Sequence, residues 1–323
     1  MAQKKKNVLI TGSEGFVGSH LADWIIKNKK NYAVHGIKHW QPRYTQILHL
    51  NPAATYHNCD IRNLEELFKI LQKVKPVKIF HLAAQSFVPL SWLSPAETLE
   101  TNIVGEANLF EAVRRAGIDP VIQIAGSSEE YGLVGKNESP ISEDNPLRPL
   151  SPYGVSKVGQ DFLGYQYFKS YGLKIVRTRA FNHTGPRRGE NFVTSDFAKQ
   201  IAEIEKGKKE AIIYVGNLEA VRDFTDVRDI VRAYWLATEK CAYGEVYNIG
   251  SGKGYKIGEM LKMLLAMSRK KIAVKQDEKR MRPSDVMVLI CNANKFRRAT
   301  GWKPAIPFRK TLRDLLNYWR ERV

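Results

Sequence analysis

The 323-residue sequence has few cysteines, no long apolar run and a shortage of acids, and each deficit removes a class of protein. Its three cysteines, Cys59, Cys241 and Cys291, lie far apart and form neither a C-x-x-C pair nor a Cys/His group, which argues against a zinc site and a disulfide framework. No segment reaches the roughly 18–20 uncharged apolar residues that a membrane span needs. The chain runs from Lys6 straight into a strand-like segment with no signal-peptide core. A cytoplasmic protein without membrane contact is therefore expected. Acids number 33 against 51 lysines and arginines, giving a formal charge of +18. Such an excess can mark nucleic-acid binding, but here the cations are spread over helix-like stretches, in runs as short as 4 to 6 and 206 to 209. We expect no nucleic-acid partner; a diffuse positive field would instead concentrate an anionic substrate.

What is present is an alternation of apolar strands and helical periods. Strands read at residues 7 to 11, 32 to 38, 79 to 82, 121 to 125 and 173 to 179, and helices at 16 to 28, 64 to 74, 98 to 116 and 153 to 171. This order predicts an α/β fold, a doubly wound parallel sheet. After about residue 177 the character changes to polar loops, a glycine-rich segment at 250 to 258 and the turn prolines Pro283, Pro304 and Pro307. The expected organisation is a dinucleotide-binding domain over 1–177 with a returning segment at 211–249. A smaller C-terminal α/β substrate-binding lobe is expected over 178–210 and 250–323.

The first strand leads into Thr11-Gly12-Ser13-Glu14-Gly15-Phe16-Val17-Gly18, with glycines where a helix must begin. Glycines let the backbone approach a pyrophosphate, and the free N–H groups and dipole of the helix start meet its charge. Gly12, Gly15, Phe16, Val17 and Gly18 are thus candidate cofactor contacts. An NAD site usually carries an acid at the end of the second strand; this strand ends in Lys38 and His39, with Arg43 close behind. Cations there favour a 2′-phosphate, so NADP is the expected cofactor and NAD the alternative. Asp60 and Ile61 sit where adenine could be held. Leu82, Ala83, Ala84, Gln85 and Ser86 end another strand beside the diphosphate, with Ser86 also within reach of the substrate.

Tyr153 and Lys157 lie one helical turn apart, so both project from one face. A nearby ammonium favours the phenolate, which predicts a Tyr153 pKa lowered from about 10 toward neutrality and a phenol able to take a proton from a hydroxyl. The strand at 121 to 125 ends in Gly126-Ser127-Ser128-Glu129, at the sheet edge where ligands bind. Ser127 can bond a reacting oxygen there, and Glu129 can act as a second acid or base.

Together with His81 to Val88, Phe181-Asn182-His183, Pro186 to Thr194, Val221 to Phe224 and Arg282-Pro283-Ser284-Asp285, these segments resemble one family along essentially the whole chain. It is the GDP-mannose 4,6-dehydratase and GDP-4-keto-6-deoxy-mannose reductase branch of the extended short-chain dehydrogenase/reductases. The resemblance implies that Ser127, Glu129, Tyr153 and Lys157 are catalytic and that His183 and Arg188 contact the cofactor. It also implies that Asn182, Asn191, Lys199, Arg222 and Arg282 hold a GDP-sugar, and that the helices at 98 to 116 and 153 to 171 pair across a two-fold in a homodimer or homotetramer. The expected activity is a nucleotide-sugar 4,6-dehydratase. A GDP-4-keto-6-deoxy-mannose reductase is the alternative; a silent sugar-nucleotide scaffold and a UDP-sugar epimerase are less favoured.

Overall fold

The computed structural model describes residues 5–39, 49–135, 137–278 and 286–323. Two wound halves make its main layer. The first contains β1 (Lys6–Thr11), α1 (Phe16–Asn28), β2 (Tyr32–Lys38), β3 (Thr55–Asn58) and α2 (Leu64–Val74). The second begins with β4 (Lys78–His81), short helices α3 (Val88–Leu93) and α4 (Pro95–Leu99), and a π-turn, Glu100–Val104, that runs on into α5 (Gly105–Arg115). It continues through β5 (Val121–Ser127), α6 (Pro152–Tyr171) and β6 (Ile175–Ala180).

The remainder comprises β7 (His183–Thr184), α7 (Val193–Glu205), β8 (Ile212–Val215), β9 (Val221–Asp223), β10 (Thr225–Asp226), α8 (Val227–Lys240) and β11 (Val246–Ile249). It ends with β12 (Gly254–Lys256), α9 (Ile257–Leu265), β13 (Ala273–Gln276), β14 (Val288–Leu289), α10 (Asn294–Thr300) and α11 (Phe308–Arg320).

Seven parallel strands form the central sheet in the order β3-β2-β1-β4-β5-β6-β11. The order reverses between β1 and β4, which opens a crevice at the carboxyl ends of these strands. β1, β4 and β6 are buried along most or all of their length, as a parallel sheet covered on both faces requires. One face packs Leu21, Ile25, Ile230, Tyr234 and Trp235 from α1 and α8; the other packs Leu67, Leu71, Leu109 and Phe110 from α2 and α5.

Of the segment expected to return to this sheet, α8 and β11 do so, whereas β8 pairs with β13 and β9 with β12 and β14. The reason lies in the alternation of β8, which buries Ile213 and Val215 in the core of the smaller lobe and exposes Tyr214. That second core is shared by α7, α9 and α11. Among the described residues no helix is long and apolar enough to cross a membrane.

Candidate functional site

The crevice at the β1/β4 switch opens into a cleft of about 450 Å³ between the sheet and the lobe, a volume suited to a small ligand or cofactor. At its floor the turn after β1 is tightly fixed. Ser13 donates both its amide and its hydroxyl to Ile37 O, at 3.1 and 3.0 Å, and the Thr11 hydroxyl accepts the amides of Leu82 and Ala83, each at 3.1 Å. Gly12 has φ +65°, and a Cβ there would come within 2.9 Å of the Ala83 backbone; a Cβ on Gly18 would meet Gly12 O at 2.2 Å. The close approach of α1 to this turn therefore demands glycine. No side chain caps the start of α1 and no acid occupies its first turn, which leaves that end free to meet an anion. Gly12, Gly15, Phe16, Val17 and Gly18 all line the cleft. A dinucleotide diphosphate fits this cradle.

At the adenosine end the cleft is walled by Glu14, Ile37, His39, Asp60, Ile61 and Arg62. Arg62 grips Asp60 with its amide, Nε and Nη2, and these bonds hold the Asp60 carboxyl down at about 2 against the opposing effect of burial. His39 donates its amide to Glu14 Oε1 at 2.8 Å, while its ring Nε2 lies 3.4 Å from Asp60 Oδ2. Lys38, the first of the cations expected at a 2′-phosphate, does not line the cleft, and Arg43 lies outside the described residues.

The centre of the cleft brings together Ser127, Glu129, Tyr153 and Lys157, with Leu82, Ala83, Ala84, Gln85 and Ser86 on the adjoining strand end. Ser127 ends β5 and caps a single 3₁₀ turn: its amide donates to Glu130 Oε1 at 2.6 Å, and its hydroxyl accepts the Glu129 amide at 3.2 Å. Glu130 is itself buried against Arg179, which also binds Asp161. Tyr153 enters from the first turn of α6, whose N-cap Ser151 accepts the Gly154 amide, and its phenol lines the cleft beside Ser127.

The expected depression of the Tyr153 pKa is not what the geometry gives. Burial pushes the phenol above its ordinary value, and Glu129 and Glu130 push the same way, while Ser127 and Arg188 only partly offset them. Lys157 sits with Nζ 5.8 Å from the Tyr153 ring centre, donating to Ala125 O at 2.9 Å and to Gln160 Oε1 at 2.7 Å. Burial lowers Lys157 to about 8, opposed by Glu106 and Glu130.

The far wall comes from the 181–194 segment. His183 stacks on Phe16 with ring centres 6.0 Å apart, and burial holds its imidazole down at about 4, hence neutral near pH 7. Arg188 lies between Phe16 and Phe192, its guanidinium 4.9 and 3.3 Å from the two ring centres. Asn182 and Asn191 also face the cleft. The preceding residue, Arg187, adopts φ 70°, an uncommon conformation for a side chain of this size. Its guanidinium is held by Asp23 of α1 at 2.7 Å, and His20 Nε2 lies 2.8 Å from Pro186 O.

Two of the residues expected to hold substrate do not themselves line this cleft, Lys199 reaching it only through Glu190. Lys199 lies on α7, ion-paired to Glu190 and 3.7 Å from Glu203. Arg222 is buried in β9 with Nη1 donating to Val221 O. Arg282 lies outside the described residues. Conversely, Glu14, Arg62, Phe192, Phe224 and Tyr234 line the cleft without having been singled out. Glu14 occupies one of the unspecified positions of the glycine fingerprint, and an acid in that motif was the one available signal.

Residues 9–315 match the protein family described as GDP-mannose 4,6 dehydratase. The chain belongs to that family. It is 31% identical over 318 residues to GDP-6-deoxy-D-mannose reductase of Pseudomonas aeruginosa, covering 98% of each chain. It is also 32% identical over 346 residues to human GDP-mannose 4,6 dehydratase, covering 97% of this chain and 91% of the human one. Among solved structures it is similar to RMD from Pseudomonas aeruginosa complexed with NADPH, with a TM-score of 0.87, 30% identity, and 99% and 100% of the two chains covered. The Thermus thermophilus UDP-glucose 4-epimerase complex with NAD gives a TM-score of 0.86 at 29% identity over 98% of this chain and 100% of that one.

Proposed function

We propose that this enzyme is a GDP-mannose 4,6-dehydratase. The observation that carries the reading is the placement of Glu129 in the same cleft as Ser127 and Tyr153. One group could then serve the C4 oxygen and another the C5 carbon of one hexose. Tyr153 Oη takes the proton of the C4 hydroxyl, and Ser127 holds that oxygen in line. Glu129 removes the C5 proton, made acidic by the C4 ketone, and delivers a proton to the departing C6 hydroxyl. A nicotinamide dinucleotide, when bound in the cleft, would supply the hydride acceptor for C4 and the hydride donor for C6, with the proton taken from the C4 hydroxyl restored at C5, so the cycle would have no net redox. Lys157 orients the dinucleotide beside Tyr153. Arg188 presents a cation clamped between two rings, and Asn182 and Asn191 orient the sugar. GDP-mannose incubated with catalytic dinucleotide should lose one water by mass analysis.

A second reading, reduction of a GDP-4-keto-6-deoxy sugar, is favoured by the similarity to the Pseudomonas aeruginosa reductase. There Tyr153 would donate a proton to the C4 ketone and Glu129 would be dispensable. Consumption of one equivalent of reduced dinucleotide with no loss of water would select it.

The NADP preference expected from Lys38, His39 and Arg43 rests, among the described residues that line the cleft, on His39, whose ring is turned to Asp60. We also propose a homodimer formed through α6. Val155, Phe162 and Tyr165 on that helix are exposed, Phe162 by 56%, and Trp92, Leu93 and Val104 add to the exposed apolar surface of this part of the chain.

A further inference from the structure

Behind the cleft, in the first turn of α5, Glu106 places a completely buried carboxyl group within reach of Lys157. Lys157 Nζ donates to Gln160 Oε1 at 2.7 Å, and Gln160 Nε2 donates onward to Glu106 Oε2 at the same distance. His81, at the end of β4, closes the cluster from the other side. Thr11 Oγ1 accepts the Leu82 and Ala83 amides, which fills both of its lone pairs, so its own proton goes to His81 Nδ1, 2.9 Å away. The imidazole proton is then on Nε2, 3.7 Å from Glu106 Oε2. Glu106 Oε1 accepts no hydrogen bond from the described residues. A buried carboxylate so poorly supplied with donors is costly, and an apolar side chain could fill the same space at lower cost.

We propose that Glu106 is a positioning residue: through Gln160 it aims the Lys157 ammonium into the cleft and maintains its charge beside Tyr153. The inference deepens the dehydratase reading and rests on it for its kinetic test. The Gln160 amide could turn either its oxygen or its nitrogen to Lys157. An ionised carboxylate only accepts, so Glu106 draws the NH2 end toward itself and leaves Oε1 for the ammonium. Ala125 O takes a second proton of Lys157, at 2.9 Å, and the third is left for the cleft that Lys157 lines. Charge follows the same path. Burial drives Lys157 down to about 8, with Glu106 and Glu130 opposing; burial drives Glu106 upward, with the Lys157 ammonium opposing. Among the described residues, the other ionisable groups around this pair are Tyr153, His81, Glu130 and Asp161. Burial keeps Tyr153 and His81 neutral near pH 7, His81 at about 3. Glu130 is bound to Arg179, and Asp161 to Arg177 and Arg179. Glu106 is thus the carboxylate that reaches Lys157 along a hydrogen-bonded path.

The Lys157 ammonium can be followed directly, by NMR of enzyme carrying lysine isotopically labelled at Cε, with the Lys157 signal identified by its loss in Lys157→Met. In the wild type it should titrate at about 8. Glu106→Gln should lower that midpoint by about one pH unit or more, tenfold in the acid constant. Gln160→Met, which leaves Glu106 in place and cuts the path, should lower it as well, with thermal melting confirming that both variants fold. The ammonium is lost as pH rises through the midpoint, so the alkaline limb of single-turnover hydride transfer from GDP-mannose should move to lower pH in both variants. A Lys157 midpoint that either folded variant leaves unchanged overturns the proposal, since a carboxyl group that merely filled the space behind the cleft would not act through Gln160. An alkaline limb that stays in place does the same. If the midpoints move as stated while the wild type gives no absorbance change with GDP-mannose, the dehydratase reading fails and the role of Glu106 stands.

Discussion

Ser127 and Glu130 cap one another: the Ser127 amide donates to Glu130 Oε1 at 2.6 Å, and the two residues bracket the turn that carries Glu129. Glu130 is fully buried and braced by Arg179, so the position of Ser127 at the end of β5 is set from behind the cleft. Glu129, the acid between them, is left to face the ligand.

That division of labour makes Glu129→Gln informative. Positioned acids and bases contribute roughly a hundred- to ten-thousandfold, so this change should slow release of the 4-keto-6-deoxy product by about that factor while oxidation at C4 persists. Single-turnover absorbance at the nicotinamide band, with enzyme in excess over GDP-mannose, reads both events. Unchanged product release would remove Glu129 from the elimination step and favour the reductase reading. Tyr153→Phe should instead abolish the absorbance change, because no group then takes the C4 hydroxyl proton.

Gly18→Ala should cripple the cradle. The added methyl carbon would lie 2.2 Å from Gly12 O and 2.8 Å from Ser13 Cα, both backbone atoms that cannot swing aside. Dinucleotide affinity should fall at least tenfold, about 1.4 kcal/mol. Calorimetric titration giving wild-type affinity would show that α1 approaches the turn less closely than described.

Acid should weaken the fold through His20. Burial lowers its pKa from 6.5 to about 4, against the bond to Pro186 O. The unfolded chain therefore binds the extra proton in that interval, and stability attributable to the neutral imidazole is complete above pH 6.5 and lost as pH falls toward 4. His20→Gln keeps a donor for Pro186 O without titrating. Urea midpoints measured from pH 7 to 4 should fall more steeply for the wild type, and parallel curves would show that His20 does not carry this dependence.

Phe162→Glu places a charge at the middle of the exposed face of α6. Light scattering should show a dimer for the wild type and a monomer for the variant. A wild-type monomer at micromolar concentration would remove the dimer proposal.

The parts of the fold legible in the sequence were those with a strong local period. α1, β2 and α2 begin and end where their apolar spacing puts them, and the structure adds Asn63 as the cap of α2, its side chain accepting the Glu66 amide. β3 went unread because Thr55–Asn58 is a short polar strand at the sheet edge, with no apolar run to mark it. The pairing of β8 with β13 joins segments that no local pattern links. In the site, glycine spacing and the Tyr153/Lys157 helical turn were visible. The environment that raises the Tyr153 pKa was not, since it arises from burial and from Glu130, whose own setting depends on Arg179 and Asp161 far along the chain. Glu14 was hidden for the opposite reason: it stood inside a recognised motif, at a position where the motif specifies nothing.

The attachment of the 185–192 loop carries a mechanical consequence. His20 and Asp23 stand one turn apart on α1 and fasten Pro186 and Arg187, while the first turn of the same helix forms the diphosphate cradle. Arg188 follows directly and closes over Phe16, the first residue of that helix. This wall of the cleft is thus anchored on α1, so that a small tilt of the helix would reach, one residue past the fastening, the guanidinium of Arg188.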